Sequence, residues 1–193
     1  MKLLRYPALL LAFLLTVMPG CGRDDPAGPE IREGDARFDY TGDQGGEYRA
    51  TGEFRLLDSN TVQAGSWAVA GRDAAGELTV LGFSSPTGSR GTLLILPLGS
   101  ITQGVTVSLA CTGSNCPRAG VIFNAVALGS RTATETLYGF TQGTVTIDTL
   151  TQTRIAGSFS GQALFYDLNF VPSPTRTLTV INGRFGVPIR DNL

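Results

Sequence analysis

The chain has no histidine, and its only lysine, Lys2, stands near the N-terminus. Catalysis by Ser-His-Asp, Cys-His or Ser-Lys groups therefore lacks its base in the rest of the chain. Metal sites that depend on imidazole ligands are excluded for the same reason. A glycine-rich phosphate loop and a Gly-x-Ser-x-Gly nucleophile turn are also absent from the sequence. We therefore predict no catalytic residues, no metal site and no cofactor, and we expect that the protein is not an enzyme.

Basic residues are few: 15 lysines and arginines stand against 16 carboxylates, and the arginines are scattered. Without a basic cluster, binding to nucleic acid is excluded.

The catalytic chemistry that remains is that of carboxylates, and a glycan hydrolase needs two carboxyl groups about 5–10 Å apart. Asp167 is the acid most suited to a pocket mouth, because Phe165 precedes it on the same strand face. We favour the simpler interpretation that Asp167 ends a strand and begins the loop "DLNFVPSP".

The chain has no long hydrophobic run, and a short one lies near the N-terminus. Lys2 and Arg5 precede the apolar stretch 9–17, "LLLAFLLTV", and Pro19-Gly20 then breaks any helix. The stretch is too short for a stable transmembrane helix but has the length of a signal-peptide core. We therefore predict that residues 1–20 are a signal peptide.

The segment Val17-Met18-Pro19-Gly20-Cys21 resembles the lipobox of bacterial lipoproteins, in which a small residue precedes the modified cysteine. The resemblance implies that Cys21 is lipidated, becomes the new N-terminus, and anchors the protein in the membrane of the cell envelope. Two or three acyl chains hold a protein stably, whereas one does so only marginally. Gly22 follows the cysteine in place of the aspartate that often retains such proteins in the inner membrane. This favours the outer membrane if the host has one.

Residues 21–37 contain the lipidated cysteine and then a polar stretch rich in Pro and Gly, which predicts a flexible linker. About 16 residues of flexible coil have a mean reach of about 20–25 Å. Removal of the signal peptide leaves 13 arginines against 16 carboxylates, so the mature chain has a formal charge of −3.

From residue 38 to residue 193 short β-rich runs alternate with Gly, Asn, Asp, Ser and Pro. The stretch 66–83 reads as a hairpin with "RDAAG" at its turn, and 92–98, "TLLILPL", as a strand buried on both faces. Further runs cover 136–140, 143–148, 154–167 and 176–189. No stretch after the signal peptide has a helical period. The fold class is therefore predicted to be all-β, a single antiparallel β-sandwich or barrel-like domain.

The pattern Gly-x-Phe occurs three times, at 52–54, 157–159 and 183–185. A glycine beside an inward phenylalanine makes room for a neighbouring ring. We expect the last two copies to pair antiparallel, and Asn182-Gly183 to form a bulge. The region 143–188 resembles a loose group of uncharacterised β-rich envelope lipoproteins from bacteria. That resemblance implies a fold and no activity.

Several side chains are candidates for narrower roles. Cys111 and Cys116 bracket a four-residue hairpin tip, so in an exported protein they are predicted to form a disulfide bond. Asp39, Asp43 and Glu47 follow each other at intervals of four and could bind calcium, but the spacing does not match an EF-hand loop, and solvated turns are the favoured interpretation. Trp67 is expected in the core, and Tyr138 and Tyr166 are expected to pack in the core or at its rim, with a sugar or lipid site as their alternative role.

The expected function is that of a cell-envelope lipoprotein with a non-catalytic β-domain in binding or surface architecture. Its partners are the membrane, through the lipid on Cys21, and an unnamed protein or small molecule; the sequence assigns no ligand-binding residues. The main alternative is an apolar-ligand carrier with a lipid inside a barrel. A carboxylate-dependent glycan hydrolase is less favoured.

Overall fold

The computed structural model describes residues 34–55, 65–85, 90–110, 119–125 and 135–191, and these form an all-β domain. The predicted fold class is confirmed, since the described residues contain ten strands and no helix. No helix in this part of the chain is long and apolar enough to cross a membrane. Cys21, Cys111 and Cys116 lie outside the described residues, as do the signal peptide and most of the linker. The strands are β1 (Asp35–Gly42), β2 (Gly46–Thr51), β3 (Trp67–Arg72), β4 (Leu78–Ser84), β5 (Gly91–Gly99), β6 (Thr106–Ser108), β7 (Gly120–Ala125), β8 (Thr136–Leu150), β9 (Arg154–Tyr166) and β10 (Pro172–Asp191).

The strand pairings form two layers that are joined at both edges. The first layer runs β2–β1–β10–β9–β8–β6, and the second runs β3–β4–β5–β7. The layers join where β7 pairs antiparallel with β8 and where β10 pairs parallel with β3. These pairings make a continuous ring, so the domain is sandwich-like in its layers and barrel-like in its closure.

Period-2 alternation explains which side chains form the core. On β1, Ala36 and Phe38 point inward and are buried, and on β2 Tyr48 and Ala50 do the same. Most of their neighbours are charged and at least partly exposed, as expected for the outer face of an antiparallel sheet, although Asp35 is buried. β1 begins at Asp35, three residues before the predicted start of the domain. The prediction placed the start too late because the charged residues of β1 resemble linker sequence.

The strands β3, β4 and β5 are buried on both faces. Leu94 contributes to the main core and Leu93 to a second apolar cluster on the opposite face, which confirms the prediction for 92–98. Trp67 lies in the second cluster with a T-shaped contact to Phe54, at 4.8 Å between ring centroids. Its predicted place in a core is confirmed. Pro97 sits beyond the last residue that pairs with β7, so its missing N–H leaves no gap in that ladder.

The predicted hairpin over 66–83 is confirmed as β3 and β4, with its turn at residues 73–77. The prediction of separate strands at 136–140 and 143–148 is wrong, because both belong to β8. A register shift between Phe140 and Gln142 and a positive φ of 142° at Gly143 carry the strand through the interruption. Gln142 and Gly143 read as a break in the sequence but act as a bulge in the sheet.

Candidate functional site

A tight loop, Asp167–Val171, joins β9 to β10. Asp167 closes the loop, as its carboxylate Oδ1 accepts hydrogen bonds from the backbone N–H groups of Asn169 (2.9 Å) and Val171 (2.8 Å). Two backbone bonds of 3.1 Å complete it, one from Phe170 N to the Asp167 carbonyl and one from Asp167 N to the Val171 carbonyl. The favoured interpretation of Asp167 as a strand-end residue is confirmed, because its oxygen serves the backbone of the loop.

The loop between β3 and β4, Asp73–Glu77, has the same four hydrogen bonds. Asp73 Oδ1 accepts from the N–H groups of Ala75 and Glu77, both at 2.9 Å. Gly76 N donates to the Asp73 carbonyl at 3.0 Å, and Asp73 N donates to the Glu77 carbonyl at 3.1 Å. This second loop is an internal reference for what the backbone geometry requires of each position.

The two loops differ at the fourth position. In the β3–β4 loop that position is Gly76, with a φ of 84°, and in the β9–β10 loop it is Phe170, with a φ of 59°. A left-handed conformation costs a residue with a side chain roughly 1–2 kcal/mol and is uncommon for a bulky one. The β9–β10 loop therefore carries backbone strain that the reference loop avoids by using glycine.

The strained loop also exposes large apolar side chains. Leu168 is 55 % exposed, Phe170 54 % and Val171 57 %, and we call these three residues the apolar tip. In the reference loop the residues at the same positions are Ala74, Gly76 and Glu77. Local strain combined with exposed apolar surface is typical of a binding element, because folding stability gains from neither.

A polar cluster braces the base of the apolar tip. Arg176, on β10, donates from Nε to Asp43 Oδ2 at 2.7 Å, and the hydroxyl of Tyr138 donates to the same oxygen at 3.0 Å. The guanidinium carbon of Arg176 lies 3.8 Å from the centre of the Phe165 ring, the geometry of a cation–π contact. Phe165 pairs with Ser173 just below the loop. These contacts hold the first part of β10, which follows the Asp167–Val171 loop, against the C-terminal end of β1.

We call Asp43, Tyr138 and Arg176 the brace, and each of the three keeps one protonation state near neutral pH. The hydrogen bond from Arg176 lowers the pKa of Asp43 below its ordinary value of 3.8. Burial, and then the hydrogen bond to Asp43, raise the pKa of Tyr138 above its ordinary value of 10.0. The hydrogen bond to Asp43 likewise raises the pKa of Arg176. None of these shifts brings a group toward neutral pH, so the cluster suits charge pairing and positioning more than proton transfer.

Of the three acids at intervals of four, the structure places Asp39 and Glu47 opposite each other and gives Asp43 different partners. Asp39 accepts a hydrogen bond from Asn182 Nδ2 at 2.9 Å, whereas Asp43 belongs to the brace. Glu47 pairs with Asp39 in the β1–β2 ladder, away from Asp43. Within the described ranges, no three His, Cys, Asp or Glu side chains come together in a way that could hold a metal ion.

Tyr138 and Tyr166, the alternative candidates for a sugar or lipid site, do not present their rings at the surface. Tyr138 is fully buried, with T-shaped contacts to Phe123 and Phe165, and Tyr166 is 6 % exposed. The expectation that both pack in the core or at its rim is confirmed.

An open groove of about 310 Å³ lies at another part of the domain, lined by Gly34, Gly52, Glu53, Pro188 and Arg190. The carboxylate of Glu53 accepts from Arg55 at 2.8 Å and from Arg190 at 3.2 Å. The hydrogen bond from Arg55 lowers the pKa of Glu53. The carboxylate in the groove is therefore paired with arginine and is not suited to donate a proton.

Sequence reasoning missed the apolar tip, although one signal was present. The segments "DAAGE" and "DLNFV" both begin with aspartate after a strand, and phenylalanine replaces glycine at the fourth position. Only the shared hydrogen bonds show that the two positions are equivalent. Comparison with protein-family models, with curated proteins and with solved structures finds no match for this chain.

Proposed function

We propose that this protein is a cell-envelope lipoprotein, anchored through Cys21, whose β-domain is a non-catalytic binding module. The lipobox and the polar linker support the anchor. The apolar tip supports binding, and the brace of Asp43, Tyr138 and Arg176 supports a fixed position for it. Rigid presentation favours binding, since a loop already in its bound shape loses little entropy.

The proposal rests on one observation, that Phe170 occupies the backbone position which Gly76 occupies in the reference loop. Glycine would relieve the strain of the left-handed backbone, and a polar residue would improve solubility. Phenylalanine does neither, and more than half of its surface faces solvent. A role in contact with another molecule accounts for both costs.

The packing of the core favours a surface site over an internal ligand. The Phe38 ring stacks on Tyr48 with centroids 4.5 Å apart and meets Phe159 at 5.8 Å. Glycines at 157 and 183 let the rings of Phe185 and Phe159 approach the neighbouring backbone. Side chains from opposite sides of the ring also meet, since the Tyr40 ring on β1 lies 5.4 Å from the Phe123 ring on β7, measured between centroids. These side chains occupy space that a carrier would keep for lipid.

Site-specific photo-crosslinking in intact cells tests the binding role. A photoreactive amino acid at position 170 is expected to form adducts with an envelope component, whereas the same amino acid at position 75 in the reference loop is expected to form few. Equal adducts at both positions, or none at either, would count against a role for the tip.

Two further measurements test the rest of the proposal. Cys21→Ala is expected to release the protein from the membrane fraction while its thermal unfolding stays unchanged; retention of this variant in the membrane would contradict the anchor. Turnover of a glycan by the purified protein, lost on changing one carboxylate, would contradict a non-catalytic domain.

A further inference from the structure

We infer that the apolar tip inserts into the interface of a lipid bilayer, as a second membrane contact beside the lipid on Cys21. The inference rests on the proposed function, which anchors the chain at a membrane. It identifies the class of partner that Leu168, Phe170 and Val171 contact.

The size of the apolar tip argues against a stable protein interface. Three side chains, each a little more than half exposed, present a few hundred square ångströms of apolar surface. A stable protein–protein interface buries about 800 Å² on each partner. A bilayer needs no such area, because a weak insertion is strengthened when an anchor already holds the protein at the surface.

The shape of the tip also suits a deformable partner. The apolar side chains stand on a hairpin loop between β9 and β10, and four hydrogen bonds fix its backbone. A loop whose backbone is already fixed enters the boundary between headgroups and acyl chains without rearrangement. More than half of each of its three apolar side chains is exposed, whereas a small-molecule pocket encloses its ligand in a concave wall.

The charges around the tip give it no attraction to anionic lipid, because Asp167 is a carboxylate and the Arg176 cation is already paired. Asp43 pairs with Arg176 at the base of the loop, and the Asp167 carboxylate accepts two backbone hydrogen bonds. The next four residues, 172–175, carry no charge. Insertion is therefore expected to depend on apolar contact, with little dependence on anionic lipid or on salt.

The position of the tip sets the orientation of the domain on the membrane. β10 begins at Pro172 beside the tip and ends at Asp191, which pairs with Arg72 next to the reference loop. The two loops are therefore at opposite ends of the domain. Gly34 hydrogen-bonds to Gly186, which is 14 residues from Pro172, or about 46 Å along β10 at about 3.3 Å per strand residue. Insertion of the tip would therefore turn the β9–β10 loop toward the membrane, with the linker leaving the domain farther along β10.

Tryptophan fluorescence on vesicles tests the inference with the full lipidated chain. Phe170→Trp places a reporter at the tip, and Ala75→Trp places a matched reporter in the reference loop. Trp67, at 1 % exposure, contributes a constant background that the unsubstituted protein measures. On phosphatidylcholine vesicles containing doxyl-labelled lipid, emission from position 170 is expected to shift to shorter wavelength and to be quenched, and emission from position 75 is expected to change little. Equal quenching at both positions, or none at position 170, would overturn the inference.

Sedimentation with the same vesicles separates this inference from the proposed function. In a Cys21→Ser background the tip alone is expected to give weak binding, and Leu168→Ser with Val171→Ser is expected to reduce it about 10- to 100-fold, because two large apolar contacts are lost. Serine at Ala74 and Ala75 is the matched control and should leave binding unchanged, with thermal unfolding of both variants verifying the fold. If the lipidated chain fails to sediment, the anchor is refuted while tip insertion is still measured at excess lipid. If Leu168→Ser with Val171→Ser binds as well as its control, tip insertion is refuted while the anchor stands.

Discussion

Gly183 lies directly opposite Phe159 across the β9–β10 ladder, and the Phe159 ring fills the space that a side chain at 183 would need. A Cβ atom on Gly183 would collide with the backbone carbonyl oxygen of Phe159 and would meet both Cδ atoms of that ring at 2.8 Å. Gly157 and Phe185 repeat the relationship, with 2.9 Å to the ring Cζ. The two Gly-x-Phe segments are therefore reciprocal, as each supplies the ring that needs the other's glycine.

Gly183→Ala is expected to lower the free energy of unfolding by about 1–3 kcal/mol, because the added methyl group overpacks the core. Chemical denaturation of the purified chain measures this. Gly45→Ala is the matched control, since its Cβ would lie 3.7 Å from the nearest atom, and it should change stability little. Combining Gly183→Ala with Phe159→Leu should recover part of the loss. Equal stability of the two alanine variants would show that the ring does not constrain position 183.

The two equivalent loop positions give a second stability prediction. Gly76→Ala is expected to cost about 1–2 kcal/mol of unfolding free energy, because the site is open and only its positive φ opposes a side chain. Phe170→Gly is expected to change that free energy by less than about 1 kcal/mol, since relief of strain offsets the lost contacts of a half-exposed ring. Thermal unfolding of both variants distinguishes them. A large destabilisation by Phe170→Gly would show that Phe170 serves the fold.

Asp43 gives a prediction for pH. Its pKa in the folded protein lies below the ordinary 3.8, so its carboxylate contributes stability above that pH and loses the contribution as pH falls through the folded value. Asp43→Asn is therefore expected to melt at a lower temperature than the unsubstituted protein at pH 6–7, with the difference shrinking below about pH 4. Tyr138→Phe keeps the Arg176 pair and should retain most of the pH dependence. A difference for Asp43→Asn that is constant from pH 2 to pH 7 would contradict this assignment.

The cysteines predict a thiol count. If Cys21 is lipidated and Cys111 is bonded to Cys116, the mature chain has no free thiol under denaturing, non-reducing conditions. Reduction should then reveal two thiols, and the bond is expected to contribute about 2 kcal/mol to stability through the short loop that it closes. Two thiols before reduction would contradict the disulfide bond, and a third would also contradict lipidation of Cys21.

Local patterns predicted a large part of the fold. The Asn182-Gly183 bulge is confirmed, with a φ of 55° at Asn182 and a register shift between Val180 and Gly183. The antiparallel pairing of the last two Gly-x-Phe segments is also confirmed. The bulge depends on two adjacent residues, where steric limits on φ act directly, and the pairing joins two strands that follow each other in the chain through one short loop.

The candidate site was less predictable. Asp43 and Arg176 are 133 residues apart, and they meet because β1 pairs with β10 so that Gly42 faces Leu178. No local pattern carries such a register, since it depends on how complete strands align. The apolar tip was equally hidden, because "DLNFVPSP" reads as an ordinary loop until its exposure is known.

The sequence by itself determined the class of fold and the burial of Trp67, because side-chain alternation is a local property. It also predicts the lipid anchor at Cys21, which depends on a short contiguous motif. Only the tertiary structure decided that the layers close into a ring, that Asp43 pairs with Arg176, and that Phe170 occupies the backbone position of Gly76. Those relationships join distant segments, and long-range strand pairing, which no neighbouring residues encode, brings them together.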